Sequence, residues 1–164
     1  MPNWCANAVT IEHDDAAAVK KVVDAFLNAE LCETFLPIRQ LPTNEQYDAA
    51  IRLWGTKWDV GDVSQGVAES NGGKRVFLGF ESAWTPPLGL YDELVRLGYR
   101  VNGTYFEPGV GFVGEYQDGL DQYYEFNADN IDQVVPEHLV NEYDIHDWFD
   151  APECDEEIGA DEEV

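Results

Sequence analysis

The chain has 164 residues, 45% of them hydrophobic, with eight Phe, eight Tyr and five Trp. That length and apolar share suit one domain with a substantial core and exclude wholesale disorder. A net charge of −24, from 9 Lys and Arg against 33 Asp and Glu, excludes a general nucleic-acid-binding surface, and no apolar run reaches the roughly 18 residues of a membrane span.

In chain order, residues 7–12 alternate with β-branched residues at the centre and predict a first strand. Asp14 and Asp15 offer an N-cap to a helix over 16–29, in which Val19, Val22, Val23, Phe26 and Leu27 recur at helical spacing. Residues 31–45, with Pro37 and Pro42, read as a connection, and a short helix opens near Thr43 and runs to about Leu53. Strands are predicted over 63–70 and 75–81. Asn71-Gly72-Gly73 between them supplies positive φ at little cost, so the pair reads as a hairpin. Thr85 reads as the cap of a helix over 88–97 that Gly98 stops. Strands follow over 99–107, 112–116 and 121–126, with turns at Pro108-Gly109 and 117–119. The order β-α-β-β-α-β followed by extra strands predicts an α+β fold. Its plan is the ferredoxin-like split βαβ, an antiparallel sheet with helices on one face. Residues 127–151 read as short acidic helices packed on that domain, and 152–164 as a mobile acidic tail.

Four stretches carry a family resemblance. They are Met1-Pro2-Asn3-Trp4-Cys5-Ala6-Asn7, Trp54-Gly55-Thr56-Lys57-Trp58-Asp59, Phe80-Glu81-Ser82-Ala83-Trp84-Thr85-Pro86-Pro87, and Tyr105-Phe106-Glu107-Pro108-Gly109-Val110-Gly111-Phe112. Together, over residues 1–117, they resemble the YubB-type ferredoxin-like domain family, which includes Api92-like phage proteins. The resemblance implies a ferredoxin-like fold and an origin on a phage, plasmid or similar mobile element. It implies no catalytic residues and does not extend to the acidic segment.

The motifs also admit direct chemical readings. Trp54, Trp58 and Trp84 stand beside Gly or Pro at element ends, where indoles either stack on a ligand or, more commonly, fill core corners. Lys57 lies between Thr56 and Trp58. If buried it requires a carboxylate, and Glu107 and Asp59 are the candidates. Trp54, Lys57, Trp58, Trp84 and Glu107 thus form a candidate pocket for a small-ligand module or an enzyme. Gly109 to Gly114 fits a G-x-G-x-x-G string, but it precedes a predicted strand instead of a helix and reads as a hairpin turn. His138 and His146 lie eight apart with Glu142 between them and lack a firm third metal ligand. Three widely spaced cysteines make no zinc or disulfide pattern, and nothing implies a cofactor. The N-terminus shows no basic region followed by an apolar stretch, and the expected location is the cytoplasm.

The acidic half suggests the other reading. All nine basic residues lie at or before Arg100. Residues 1–100 set nine bases against 14 acids, a charge of −5, and residues 101–164 set none against 19, a charge of −19. Folding does not need such a field, and salt adaptation would spread acids more evenly. Residues 137–164 hold 12 acids in 28 positions. Wound as one helix, they average a charge per roughly 3.5 Å, close to the roughly 3.4 Å phosphate spacing of one DNA strand. The leading expectation is therefore non-enzymatic. In it, the acidic surface mimics nucleic acid and inhibits or modulates a host protein with a basic cleft, whether nuclease, polymerase or defence factor. Glu137, Glu142, Asp144, Asp147 and Asp150 form the docking group, with Trp148 and Phe149 anchoring the segment. Glu153, Asp155, Glu156 and Glu157 steer encounter.

Overall fold

The computed structural model describes residues 3–62 and 66–150. Their contacts divide them into two compact units, Met1–Tyr124 and Glu125–Val164.

The first unit is built on β1 (Trp4–Glu12), α1 (Ala16–Leu27), β2 (Gly66–Ser70), β3 (Arg75–Ala83), α4 (Leu88–Arg96) and β4 (Arg100–Glu107), followed by β5 (Phe112–Gln117) and β6 (Leu120–Glu125). Two helices, α2 (Leu31–Phe35) and α3 (Thr43–Ala49), fill the crossover from α1 to β2. The sheet order is β2-β3-β1-β4-β5-β6. Its first four strands have the 2-3-1-4 order of the split βαβ plan, and β1 runs antiparallel to both β3 and β4. The fold is α+β, with β5 and β6 extending the β4 edge.

Alternation along the strands assigns one sheet face to the core. Val9 and Ile11 of β1, Val76 and Leu78 of β3, and Val101 of β4 are buried in one cluster with Val19, Val22 and Phe26 of α1 and Leu90 and Leu94 of α4. Helix α1 starts where Asp15 accepts from the backbone N–H of Ala17 at 2.9 Å, an N-cap that satisfies a free helical donor. Helix α4 ends at Gly98, whose φ of 100° lets the chain turn at once into β4.

Three local features depart from the sequence reading. Residues 31–35, expected as connection, form α2, because the Asp59 carboxylate accepts from the N–H groups of Cys32 (2.6 Å) and Glu33 (2.9 Å) at its N-terminus. The helix predicted from Thr43 stays regular only to Ala49 and continues as a π-helical turn, Ala50–Trp54, closed by Gly55 at φ 87°. Thr85 does not cap α4, which has no side-chain cap. Of the expected strand over 63–70, residues 66–70 form β2, and 63–65 lie outside the described residues.

In the second unit, α5 (Ile131–Val134), α6 (Glu137–Glu142) and α7 (Ile145–Asp150) are short. Pro136 separates α5 from α6, and Asp144, at φ 48°, separates α6 from α7. Ile131, Val135, Leu139, Val140 and Ile145 are buried. Among the described residues, no helix is long and apolar enough to cross a membrane.

Candidate functional site

The four motifs, far apart in sequence, meet at one end of the first unit's sheet. The start of β1 pairs with the end of β3 (Trp4 opposite Ala83, Cys5 opposite Ser82), and Ala6 pairs with Phe106 near the end of β4. A chain of hydrogen bonds, buried at Asn7 and reaching the surface at Thr85, ties these ends together. The Tyr91 hydroxyl donates to Asn7 Oδ1 (2.9 Å) and Asn7 Nδ2 donates to Ser82 Oγ (2.9 Å). Ser82 in turn donates to the carbonyl of Thr85 (2.7 Å), and Thr85 Oγ1 donates to the carbonyl of Gly55 (2.6 Å). Thr56, fully buried, donates to the carbonyl of Ala83 at 2.8 Å. The buried side chains of Asn7, Ser82 and Thr56 are therefore satisfied, which makes the network rigid. Thr85 thus serves as a strut between two loops.

That strut pins an unusual backbone. Trp84 has φ 69°, a region that L-residues with bulky side chains rarely occupy. Its N–H donates to the carbonyl of Asn3 at 2.8 Å, and its ring remains 39% exposed. Strain of this kind persists where the surroundings over-determine it and clusters at ligand sites.

Two clefts flank the Gly55–Thr85 strut. The larger encloses about 380 Å³ and is lined by Tyr47 and Ile51 from the helical crossover, Lys57, and Trp84. The smaller, about 240 Å³, lies among Pro86, Leu88, Tyr105, Phe112 and Tyr123. Taken together, the two volumes fall in the range of small-ligand sites. The π-helical turn aims Ile51 at the first cleft, a use often made of such turns. Tyr105 is held in place by its hydroxyl, which donates to Asp121 Oδ1 at 2.6 Å. Its ring lies over Gly114, where an added Cβ would stand 2.2 Å from it. Burial first, then the Asp121 carboxylate, raises the Tyr105 hydroxyl well above an ordinary phenol. Burial likewise raises Asp121.

The sequence-predicted pocket residues separate. Lys57 and Trp84 line one cleft, and Trp58 lies beside Lys57, whose ammonium is 5.0 Å from the Trp58 ring centre and 5.6 Å from that of Tyr47. Trp58 also leans on Trp4 at 6.1 Å. Trp54 is a core residue, 5% exposed, with its indole N–H on the carbonyl of Leu36. Neither expected carboxylate pairs with Lys57. Asp59 is committed to the N-terminus of α2, and burial raises its carboxyl. Glu107, 1% exposed, accepts from the N–H groups of Gly109 and Val110 and from Asn3 Nδ2. The need for a partner disappears because Lys57 is only half-buried and its charge rests on two aromatic faces. Beside Glu107, the thiol of Cys5 is pushed up to about 12 by burial first and then by that carboxylate, so it is inert. The sequence reading missed Tyr47, Tyr105 and Tyr123 as lining groups. Only the Tyr105 motif offered a signal.

In the second unit, Glu137, Glu142, Asp144 and Asp147 are exposed. The anchors expected there are different residues. Trp148 is 53% exposed and Phe149, edge-on to Phe126, is 41% exposed, whereas Leu139, Val140 and Ile145 are buried. The break at Asp144 separates α6 from α7, so no single helix carries the acids from Glu137 to Asp147. The side chain of Asp150 and residues Glu153, Asp155, Glu156 and Glu157, with the expected tail 152–164, lie outside the described residues. His146 bonds Asp132 at 2.8 Å. The basic residues of the first unit are largely engaged: Arg75 and Arg100 with Glu12, and Arg96 with Glu93.

No protein-family model and no curated protein matches the sequence. Among solved structures, the chain is similar to protein api92 from Yersinia pseudotuberculosis, of family-model DUF1281, with 11% sequence identity and a TM-score of 0.43 over 78% of this chain and 99% of that one.

Proposed function

We propose that the chain is a non-enzymatic small-ligand binding module whose recognition surface is the cleft of Tyr47, Ile51, Lys57 and Trp84. The observation that carries this reading is the strained, half-exposed Trp84, held at the cleft by hydrogen bonds from separate motifs. A purely structural tryptophan would be expected to sit deeper and in an ordinary backbone conformation, as Trp54 does. On the motif resemblance, we assign its origin to a mobile element.

A second reading keeps the acidic half as an interaction surface for a basic-cleft host protein. The exposure of Glu137, Glu142, Asp144 and Asp147 above a buried apolar set favours it. The broken helices remove its phosphate-spacing argument, leaving charge complementarity alone.

Paired variants separate the two. A library of aromatic fragments is screened by ligand-observed NMR, and a panel of purified nucleases and polymerases is tested for binding at low and high salt. Lys57→Ala with Trp84→Gly should abolish fragment binding and leave protein binding alone. Neutralising Glu137, Glu142, Asp144 and Asp147 should do the reverse. A wild-type chain that binds no fragment refutes the first reading, and one that binds no protein of the panel at low salt refutes the second.

A further inference from the structure

Resting on the cleft as the binding surface, we propose that its ligand is a planar aromatic monocarboxylate. The carboxylate meets the Lys57 ammonium and the ring lies against Trp84.

The argument begins with charge. One residue in five is acidic, 33 of 164, yet no carboxylate lines either cleft among the described residues. Five of the nine basic side chains, those of Lys20, Arg39, Arg75, Arg96 and Arg100, are bridged to carboxylates. Lys57 has no such partner among the described residues and stands at the larger cleft. In a chain so rich in acids, a half-buried cation facing a carboxylate-free cavity is complementary to an anion brought from outside.

The donors point the same way. The indole N–H groups of Trp58 and Trp84 have no acceptor among the described residues, whereas that of Trp54 is bonded to Leu36. The hydroxyls of Thr56 and Thr85 are already spent on the carbonyls of Ala83 and Gly55. Of the unspent groups the cleft's lining holds Lys57, one charge, and Trp84, one neutral donor, with Trp58 beside Lys57. A single ammonium matches a single negative charge. A dianion would bring its second charge into a strongly negative chain with no second cation to receive it.

Shape supplies the rest. Lys57 lies over Trp58 and Tyr47, so those faces are taken, and the half-exposed Trp84, which lines the same cleft, is the open platform. Offset stacking on an indole selects a flat ring. Beyond the Gly55–Thr85 strut, the apolar walls of Pro86, Leu88 and Phe112 receive hydrocarbon that extends past the first cleft.

The test uses the full-length chain and three probes of one shape: 2-naphthoate, 2-naphthylmethanol and 2-naphthylmethylamine. Binding is followed by NMR on the indole N–H signals, assigned with Trp58→Phe and Trp84→Phe. The expected result is that 2-naphthoate shifts the Trp84 signal and binds about tenfold more tightly than the alcohol, the worth of one charge-assisted hydrogen bond. Lys57→Met should erase that preference, bringing the carboxylate's affinity down to that of the alcohol measured on the same variant, with circular dichroism confirming the fold. If the alcohol binds as well as the carboxylate, if the amine binds best, or if Lys57→Met retains the preference, the ligand class is wrong and the cleft survives as a binding surface. If no probe moves either indole signal, both the ligand class and the binding reading fail.

Discussion

Replacing Trp84 by Gly and by Ala tests whether its backbone is strained in the way the cleft requires. Both variants lose the ring. At 39% exposed, Trp84 hides about three-fifths of roughly 200 Å² of side chain, so each loses about 3 kcal/mol at roughly 25 cal/mol/Å². The two differ only in backbone. A φ of 69° costs an L-residue about 1–2 kcal/mol, and Gly escapes that cost while adding about 0.5–1 kcal/mol of unfolded-state entropy. The Gly variant should therefore be more stable than the Ala variant by about 0.5–1 kcal/mol, the reverse of their order in a regular helix or strand. Urea denaturation followed by far-UV circular dichroism, with equal slopes in the two variants, reads the difference. An Ala variant equal to or more stable than the Gly variant would show that Trp84 carries no such strain.

Two further substitutions probe the support of the site. Gly89→Ala places a Cβ 2.0 Å from the carbonyl oxygen of Leu53, so α4 must back away from the π-helical turn; a loss of about 3 kcal/mol in urea is expected, and an unchanged midpoint would mean that the two do not pack as described. Glu12→Gln removes the carboxylate shared by Arg75 and Arg100, chiefly through whose hydrogen bond from Arg75 the Glu12 pKa is held below its ordinary 4.5. A lowered carboxyl contributes stability above the unfolded value and loses it as pH falls through the native one. The variant should be weaker than wild type by about 0.5–1 kcal/mol near neutrality and equal to it well below about pH 4; a deficit independent of pH would rule the ion pairs out as its cause.

The sequence made much of the fold legible because its strongest signals are local. The apolar periodicity of α1, the cap at Asp15, the three positive-φ residues Asn71, Gly72 and Gly73, and the stop at Gly98 all act within a few residues of their effect. What stayed hidden acts at a distance. Helix α2 depends on Asp59, 26 and 27 residues beyond the N–H groups it accepts from, and no window along the chain connects them. Thr85 next to Pro86 is as good a cap in sequence as it is a strut to Gly55, and only the folded position of Gly55 decides between the two. The site was legible in part for the same reason. Lys57, Trp58 and Trp84 belong to short, unusual strings that mark them out, but Glu107 carries no local sign that Gly109, Val110 and the distant Asn3 would claim it.

The cleft is assembled from strand ends and loops that lie far apart along the chain, Trp4 being paired with Ala83. An unfolded chain has nothing resembling it, so whatever occupies the cleft binds the native state alone. Such a ligand at about a hundred times its dissociation constant adds about 2.7 kcal/mol to the native state. A rise in melting temperature across a metabolite collection would therefore reveal the natural occupant without any prior assay of what the protein does.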